Sequence, residues 1–183
     1  YVPGDPFKNI NWKAFARTGD LMINEKCRDA VTDLYIILDS RDIQRIGTVL
    51  KNPLEMGTVA AASLASFFLK RRDSVSLTIY DEKLSFLPPD TGDKQYFKIL
   101  SSLAGVAPRG TMPLQAVTNS LAARFSRGSP VFIISSCEGD GTVPSAVRDL
   151  VGRGHEVTVL SPSSIDFERL VSRIPRMLSL IHI

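Results

Sequence analysis

Hydrophobic and polar positions follow two different periods along the chain, and this pattern predicts an α/β domain. Short apolar runs that end at polar or turn-forming residues indicate buried strands, and longer segments with apolar residues every three or four positions indicate amphipathic helices. The predicted strands are Leu21–Cys27, Thr32–Asp39, Val75–Tyr80, Leu84–Leu87 (a short hairpin partner), Pro130–Ser135 and His155–Leu160. The predicted helices are Pro53–Arg72, Asp93–Leu103, Pro113–Phe125, Val143–Val151 and Asp166–Leu180, the last interrupted by Pro175.

Strands and helices mostly alternate, which predicts a doubly wound, mostly parallel, Rossmann-like sheet with helices on both faces. We expect a single domain over residues 1–183, with residues 32–183 as its α/β core. Residues 1–31 are expected to form an N-terminal arm, irregular apart from the short strand, because Pro3-Gly4-Asp5-Pro6 is strong turn chemistry. The chain begins at Tyr1 within a motif-like stretch, so we expect a fragment of a longer protein.

Composition excludes several classes of function. The chain has 183 residues and a net charge of only +3, and its basic residues are dispersed apart from Lys70-Arg71-Arg72. Nucleic-acid binding is therefore not expected. The two cysteines, Cys27 and Cys137, lie far apart without CxxC spacing, which argues against zinc and against a disulfide framework. No transmembrane or secretory segment is predicted within the sequence.

The first core strand ends on an acid, Asp39, and is followed at once by polar residues. Ligands of open α/β sheets gather at the carboxyl ends of the strands. Three loops should meet there, carrying Asp39–Asp42, Arg109–Thr111 and Ser135–Asp140. Their carboxylate and hydroxyl oxygens are the ligands that Mg²⁺ prefers. The pattern therefore predicts a candidate site for Mg²⁺ or another divalent cation.

Catalytic signatures are sparse. The sequence has no phosphate-binding GxxxxGK[ST] or GxGxxG motif and no GxSxG nucleophile elbow. His155 is expected at the opposite edge of the sheet from Asp39, and His182 stands next to the last residue. Neither is well placed as a general base. A metal-assisted hydrolase that uses Asp39 and neighbouring acids remains the alternative function.

The order of strand and Asp, then Gly-Thr, then strand and Ser resembles the von Willebrand factor type A fold and its metal-ion-dependent adhesion site. That resemblance implies Asp39, Thr111 and Ser136 as metal ligands, and Asp39 and Thr111 match the pattern. Ser136 stands where an Asp is expected, and Arg41 and Ile43 stand where two serines are expected. The resemblance therefore implies a degenerate adhesion site.

Two interpretations of these residues stay open. Asp42, Glu138 or Asp140 would supply replacement oxygens if a cation binds. Alternatively, the Arg41 guanidinium neutralises Asp39 without a metal, and Thr111 serves as a helix N-cap.

A second resemblance covers nearly the whole chain. The segments Tyr1–Pro6, Ile10–Arg17 and Leu21–Glu25 resemble the signature of the domain of unknown function 58 family, and Leu87-Pro88-Pro89 and Arg153–Val157 follow its later course. Membership implies a prokaryotic protein, with a parent often membrane-anchored through N-terminal segments outside this sequence. It also implies association with MoxR-type AAA+ ATPases and an adaptor or chaperone-like role.

The sequence is therefore best interpreted as a non-enzymatic protein-interaction domain, soluble and cytoplasmic. The predicted partner-binding residues are Asp39, Ser40, Arg41, Asp42, Thr111, Trp12 and Arg17. Trp12 and its aromatic neighbours are also candidates for stapling the arm onto the core.

Overall fold

The computed structural model describes residues 12–20, 22, 32–48, 51–163 and 167. The chain divides into two compact units, Tyr1–Ala30 and Val31–Ile183. In the first unit, Trp12–Thr18 forms helix α1, so the expectation of an irregular arm was wrong for these residues. The rings of Trp12 and Phe15 pack edge to face inside it, with centroids 6.2 Å apart. The predicted strand Leu21–Cys27 lies outside the described residues apart from Met22.

The second unit contains a five-stranded sheet in the order β3-β2-β1-β4-β5. Neighbouring strands are parallel except for the antiparallel pair of β2 and β3, so the prediction of a mostly parallel α/β fold is confirmed. The strands are β1 (Asp33–Asp39), β2 (Ser74–Tyr80), β3 (Leu84–Asp90), β4 (Pro130–Ile134) and β5 (Glu156–Leu160). The helices are α2 (Pro53–Lys70), α3 (Gly92–Ala104), α4 (Leu114–Leu121) and α5 (Val143–Gly152), with a short 3₁₀ helix at Asp42–Arg45.

Strand β1 is buried on both faces. Successive side chains of a strand point to opposite sides of the sheet, so its residues divide between two apolar clusters. Leu34, Ile36 and Leu38 belong to one apolar cluster, which includes residues of α2 and α3. Tyr35 and Ile37 belong to a second cluster, which includes residues of α4 and α5. The sheet therefore carries two cores, and the odd-numbered positions of β1 face α4 and α5.

Strand β3 continues to Asp90, through Pro88 and Pro89, where the sequence predicted a loop. Prolines are tolerated here because β3 lies at the edge of the sheet, with β2 as its one neighbour among the described strands. The register shifts between Val75 and Leu77 opposite this segment. Gln95 lies buried behind the shift, and its Nε2 donates hydrogen bonds to the carbonyl oxygens of Val75 (2.7 Å) and Pro88 (2.9 Å). The side chain thereby satisfies carbonyl groups at the irregularity.

One predicted helix is shorter in the structure, and another lies almost entirely outside the described residues. Helix α4 covers Leu114–Leu121 and is shorter than the predicted Pro113–Phe125. Residues 122–124 form a turn instead. The predicted helix Asp166–Leu180 lies outside the described residues except for Phe167, which is helical and buried. Within the described part of the chain, no helix combines the length and apolar character needed to span a bilayer.

The loop between α3 and α4 reaches the carboxyl edge of the sheet through Gly110. This residue has φ +66°, and a Cβ atom there would lie 2.6 Å from the backbone nitrogen of Glu82. Its carbonyl oxygen accepts a hydrogen bond from the Asp42 N–H at 3.0 Å. The close approach of two backbones therefore requires glycine at this position.

We expect Gly110→Ala to lower the free energy of unfolding by more than about 3 kcal/mol, because left-handed strain and a backbone collision add. Gly92→Ala is the matched control, since Gly92 has φ +77° but open space around its Cα. That variant should cost about 1 kcal/mol, as only the strain applies. Urea denaturation of both variants measures the difference, and equal losses would contradict a steric requirement at Gly110.

Candidate functional site

The candidate site is a buried charge cluster at the carboxyl ends of β1 and β4. Asp39 is the last residue of β1 and lies in register with Tyr80 of β2. Ser135 follows β4 directly, and its hydroxyl donates to Asp39 Oδ2 at 2.6 Å. Because Asp39 occupies an odd-numbered position, its carboxylate lies on the sheet face covered by α4 and α5. The carboxylate of Asp39 therefore lies at the carboxyl end of β1, between the neighbouring strands β2 and β4.

Both oxygens of the Asp39 carboxylate are filled with hydrogen bonds from the protein. Oδ1 accepts from the backbone N–H of Arg41 at 3.0 Å and from Arg41 Nε at 2.9 Å. Oδ2 accepts from Arg41 Nη2 at 2.6 Å, from Gln44 Nε2 at 2.8 Å and from the Ser135 hydroxyl. Arg41 therefore forms a bidentate ion pair with Asp39, and the side chain of Asp39 is fully buried.

A second carboxylate, Asp140, lies on the other side of the same guanidinium. Its Oδ2 accepts from Arg41 Nη1 at 3.1 Å and from the backbone N–H of Leu114, the first residue of α4, at 2.8 Å. Its Oδ1 accepts from the N–H and the hydroxyl of Thr142, at 2.9 and 2.6 Å. Arg41 thus joins the loop after β1 to the loop after β4, and Asp140 joins both to the start of α4.

The charges of this cluster stabilise one another. Burial alone would lower the pKa of Arg41, but its hydrogen bond to Asp39 and the nearby carboxylates outweigh burial and raise that pKa. Burial would likewise raise the pKa of Asp140, yet hydrogen bonds from Thr142 and Leu114 and the charge of Arg41 lower it. Arg41 and Asp140 are therefore both ionised at neutral pH, and their attraction holds the three loops together.

The Arg41 guanidinium lies over the ring of Tyr80, with its Cζ atom 5.5 Å from the ring centroid. The Tyr80 hydroxyl is buried and has no hydrogen-bond partner within the described residues. Burial, reinforced by the negative charge of Asp39, raises the pKa of Tyr80 above its ordinary range. The phenol therefore stays neutral and contributes an aromatic face to the cation.

Ser136 and Gln44 complete the cluster. Gln44 Nε2 donates to the Ser136 hydroxyl at 3.0 Å in addition to Asp39, so the structure brings Ser136 and Asp39 together through an amide. Sequence reasoning missed Gln44. It lies on the four-residue 3₁₀ helix before α2, which is too short to produce a periodic pattern of apolar residues in the sequence. Gln44 also belongs to no recognised motif. Its only sequence signal was a polar side chain five residues after Asp39.

The other predicted site residues have different positions. Thr111 is exposed and no side-chain hydrogen bond of it is found in the described part of the chain. It is not the N-cap of α4, because Pro113 occupies that position, so the capping interpretation was wrong. Asp42 is exposed and pairs with Arg45 at 3.3 Å. Ser40 is buried, and its hydroxyl donates to the Tyr80 carbonyl oxygen at 3.1 Å.

Trp12 and Arg17 lie in α1, in the first compact unit. The interpretation of Trp12 as a staple and that of Trp12 and Arg17 as partner-binding residues both concern contacts beyond this unit. Both remain predictions.

The residues present do not fit a divalent cation. Asp39 accepts five hydrogen bonds and Asp140 accepts four, so neither carboxylate has a lone pair directed at an empty position. The positive charge of Arg41 lies between them and would repel a metal. Throughout the described ranges, no group of three or more His, Cys, Asp or Glu side chains is arranged to hold a metal ion.

Cys137 and His155 are two further candidates for a catalytic role among the described residues. Burial raises the pKa of the Cys137 thiol, which stays protonated at neutral pH. His155 stands immediately before β5, at the amino edge, and its Nδ1 lies 3.3 Å from the Ser129 carbonyl oxygen. Two cavities of about 330 and 220 Å³ lie beside the cluster, lined among others by Arg45 and Arg109, but neither Asp39 nor Asp140 lines them.

Comparisons with known proteins agree with this architecture. Residues 1–163 match the profile of a family described as "Protein of unknown function DUF58". No curated protein is detectably similar to the chain.

Three solved structures illustrate the fold similarity. An aerotolerance-related membrane protein from Bacteroides fragilis is 22% identical, with 71% of this chain and 67% of that chain covered and a TM-score of 0.58. The protein BatB from Bacteroides thetaiotaomicron is 20% identical, with coverage of 71% and 66% and a TM-score of 0.57. The SpRpn10 VWA domain is 11% identical, with coverage of 79% and 96% and a TM-score of 0.49. At these identities the similarities bear on the fold alone. The two Bacteroides structures, with TM-scores above 0.5, share the α/β fold of this chain.

Removal of the Arg41 guanidinium should reveal how much free energy is needed to keep two unpaired carboxylates buried. We expect Arg41→Ala to lower the free energy of unfolding by about 3–5 kcal/mol, because Asp39 and Asp140 lose their shared counter-charge. Mg²⁺ at millimolar concentration should raise the melting temperature of this variant and leave that of the unaltered protein unchanged. Arg45→Ala is the control, since its exposed pair with Asp42 is worth less than about 1 kcal/mol. A loss below about 1 kcal/mol in Arg41→Ala would contradict the central role of the ion pair.

Acid should weaken the cluster through Asp140. A carboxyl group whose pKa is lowered by folding stabilises the protein above its unfolded pKa, about 3.9, and loses this contribution as pH falls through the folded value. We therefore expect Asp140→Asn to be less stable than the unaltered protein at pH 7 and to lose less stability between about pH 5 and pH 2. Urea titrations across this range test it, with the exposed Asp93→Asn as control. Parallel pH profiles for Asp140→Asn and the unaltered protein would contradict the assignment.

Proposed function

Because the chain belongs to the DUF58 family of proteins of unknown function, matched over residues 1–163, we propose that it is a non-enzymatic protein-interaction domain with a degenerate, metal-free adhesion site. The observation that carries this proposal is the position of Arg41. Its guanidinium bonds to Asp39 and Asp140 and provides the positive charge that a cation would otherwise supply. Binding to a partner at this edge would therefore need no metal.

The exposed rim above the cluster is the proposed partner surface. Asp42, Arg45, Arg109 and Thr111 are all exposed there. The rim is held in a fixed shape by three contacts: Asp42 N–H to Gly110 O (3.0 Å), Arg109 N–H to Ser40 O (2.8 Å) and Arg45 Nη2 to Pro108 O (3.1 Å). A preformed surface loses little conformational entropy when a partner binds.

The buried members of the predicted partner site act indirectly. Asp39, Ser40 and Arg41 are at most 4% exposed, so they support the rim and leave contact with the partner to other residues. Arg45 and Arg109 present guanidinium groups, which favour carboxylates of a partner protein through charge-assisted hydrogen bonds.

The alternative, a metal-assisted hydrolase, is less well supported. That function needs a cation or a general base with a free lone pair. Asp39 and Asp140 have their oxygens filled, and the elevated pKa values of Tyr80 and Cys137 keep both groups protonated. Neither cavity beside the rim reaches the two carboxylates.

A MoxR-type AAA+ ATPase is the proposed partner, with this chain as an adaptor or chaperone-like component. The family resemblance suggests this assignment, and no residue of the chain identifies the partner. A membrane-anchored parent protein, with this domain in the cytoplasm, is proposed on the same ground. The similar Bacteroides fragilis structure is of an aerotolerance-related membrane protein, which supports that setting.

A binding assay with a purified MoxR-type ATPase tests the proposal. We expect saturable binding that is unchanged by excess EDTA, and at least a tenfold loss of affinity in Arg109→Glu/Thr111→Arg. Lys94→Glu/Lys98→Glu, on α3, is the control and should bind normally. Loss of binding in EDTA would contradict the metal-free site, and equal binding by the rim variant would contradict this surface. No binding by the unaltered protein would contradict this partner.

A further inference from the structure

Positive charge concentrates at the amino edge of the sheet, opposite the proposed partner surface. Helices α2, α4 and α5 each run antiparallel to the strand that follows them (β2, β4 and β5, respectively), so all three end at this edge. The loops that follow them carry most of its charge. Six exposed basic residues lie there in the described part of the chain: Lys70, Arg71, Arg72, Arg124, Arg127 and Arg153. We call this set the basic edge.

The loops of the basic edge form one continuous row. The Ser74 N–H donates to Thr32 O at 3.1 Å, which joins the loop before β2 to the start of β1. The Ser126 hydroxyl donates to Asp33 Oδ2 at 2.6 Å, and His155 Nδ1 lies 3.3 Å from Ser129 O. The row therefore follows the sheet order β2-β1-β4-β5 and spans three strand spacings, roughly 15 Å.

The basic edge keeps a net positive charge after nearby acids and helix C-termini are taken into account. Three acids lie in the same row, Asp33, Asp73 and Glu156, so the six cations exceed the acids by three. The C-termini of three helices add roughly half a negative charge each, and this compensates about half of that excess at most. The charge of the far end of the row is balanced, since Asp90 and Asp93 near the start of α3 stand beside Lys94 and Lys98.

The opposite edge has the opposite balance. In the described loops at the carboxyl edge, six acids (Asp39, Asp42, Asp81, Glu82, Glu138 and Asp140) outnumber five cations (Arg41, Arg45, Lys51, Lys83 and Arg109). The second unit is therefore electrically polarised along its strands. A polarised molecule near a negatively charged plane turns its positive edge toward that plane.

An exposed aromatic ring accompanies the arginines. Phe67 is 55% exposed, and the Arg71 Cζ atom lies 5.5 Å from its ring centroid. Side chains with an apolar body and a polar or charged tip favour the boundary between lipid headgroups and hydrocarbon. A straight row of charge suits a flat anionic plane better than it suits a polyanionic strand, which is usually held along a groove.

We propose that the basic edge docks onto the surface of a bilayer that contains anionic phospholipids. The chain enters the second unit at this same edge, through Thr32 and Asp33, and the proposed partner surface faces away from the bilayer. Docking would hold the rim of Arg45 and Arg109 toward a soluble partner. This inference is independent of the proposed partner, because the two surfaces share no residue.

Sedimentation with lipid vesicles tests the proposal on residues 1–183. We expect binding to phosphatidylcholine vesicles with about 30% phosphatidylglycerol, weak binding to pure phosphatidylcholine, and release by about 0.5 M salt. Arg127→Glu/Arg153→Glu reverses two exposed charges of the basic edge. It should lower the partition coefficient at least tenfold, since each basic residue near an anionic surface contributes roughly fivefold.

Lys51→Glu/Lys83→Glu makes the same change in net charge at exposed positions of the carboxyl edge, and should bind within about twofold of the unaltered protein. An equal loss in both variants would overturn the proposal in favour of general charge attraction. Absence of vesicle binding would overturn it as well. Tighter binding to a short DNA duplex than to anionic vesicles at matched salt would assign the edge to nucleic acid instead.

Discussion

The pairing of one guanidinium with two buried carboxylates governs the architecture of the carboxyl edge. Arg41 bonds to Asp39 from its own loop and to Asp140 from the loop after β4, while Asp140 accepts the first free N–H of α4. Buried charges are expensive unless they are paired and fully hydrogen-bonded. Each carboxylate oxygen accepts at least two donors, so this condition is met. The positions of the two loops and of α4 all depend on that one side chain.

The same pairing decides what the edge does chemically. A carboxylate at the end of a central strand can serve a metal, a proton or a partner only through a free lone pair. Arg41 and its neighbours occupy those lone pairs, which is why we propose the exposed rim, and not the buried cluster, as the partner surface. The rim is connected to the cluster by two backbone hydrogen bonds, from the Arg109 N–H to Ser40 O and from the Asp42 N–H to Gly110 O. The buried ionic cluster thus fixes the loops that carry the proposed partner surface.

The two edges of the sheet have different charges for a topological reason. Parallel strands joined by antiparallel helices send the C-termini of α2, α4 and α5 to the amino edge, where basic residues complement the helix dipoles. The number of arginines there exceeds this structural need, which is the physical basis for assigning the edge a second role. A domain with more acidic than basic residues at its carboxyl edge, and the reverse at its amino edge, is expected to adopt a preferred orientation in an electric field.

Residue patterns in the sequence determined the α/β class, the mostly parallel sheet and the location of Asp39, because burial in a parallel strand requires an uninterrupted apolar run that ends at the sheet edge. They also determined the start of α2, where the Asn52 side chain caps the Glu55 N–H at 2.8 Å. They did not determine the extension of β3 through two prolines, which depends on its position at the sheet edge, or the length of α4.

Only the tertiary structure decided the chemistry of the site. From the sequence, Arg41 was compatible with a counter-ion for Asp39 and also with a side chain that points away from the site. Asp140 was compatible with a metal ligand. Their roles follow from contacts between residues 99 positions apart, together with a contribution from Gln44 that no local pattern signals. Local periodicity encodes which residues are buried. It does not encode which buried lone pairs meet, because the packing of distant loops sets those distances.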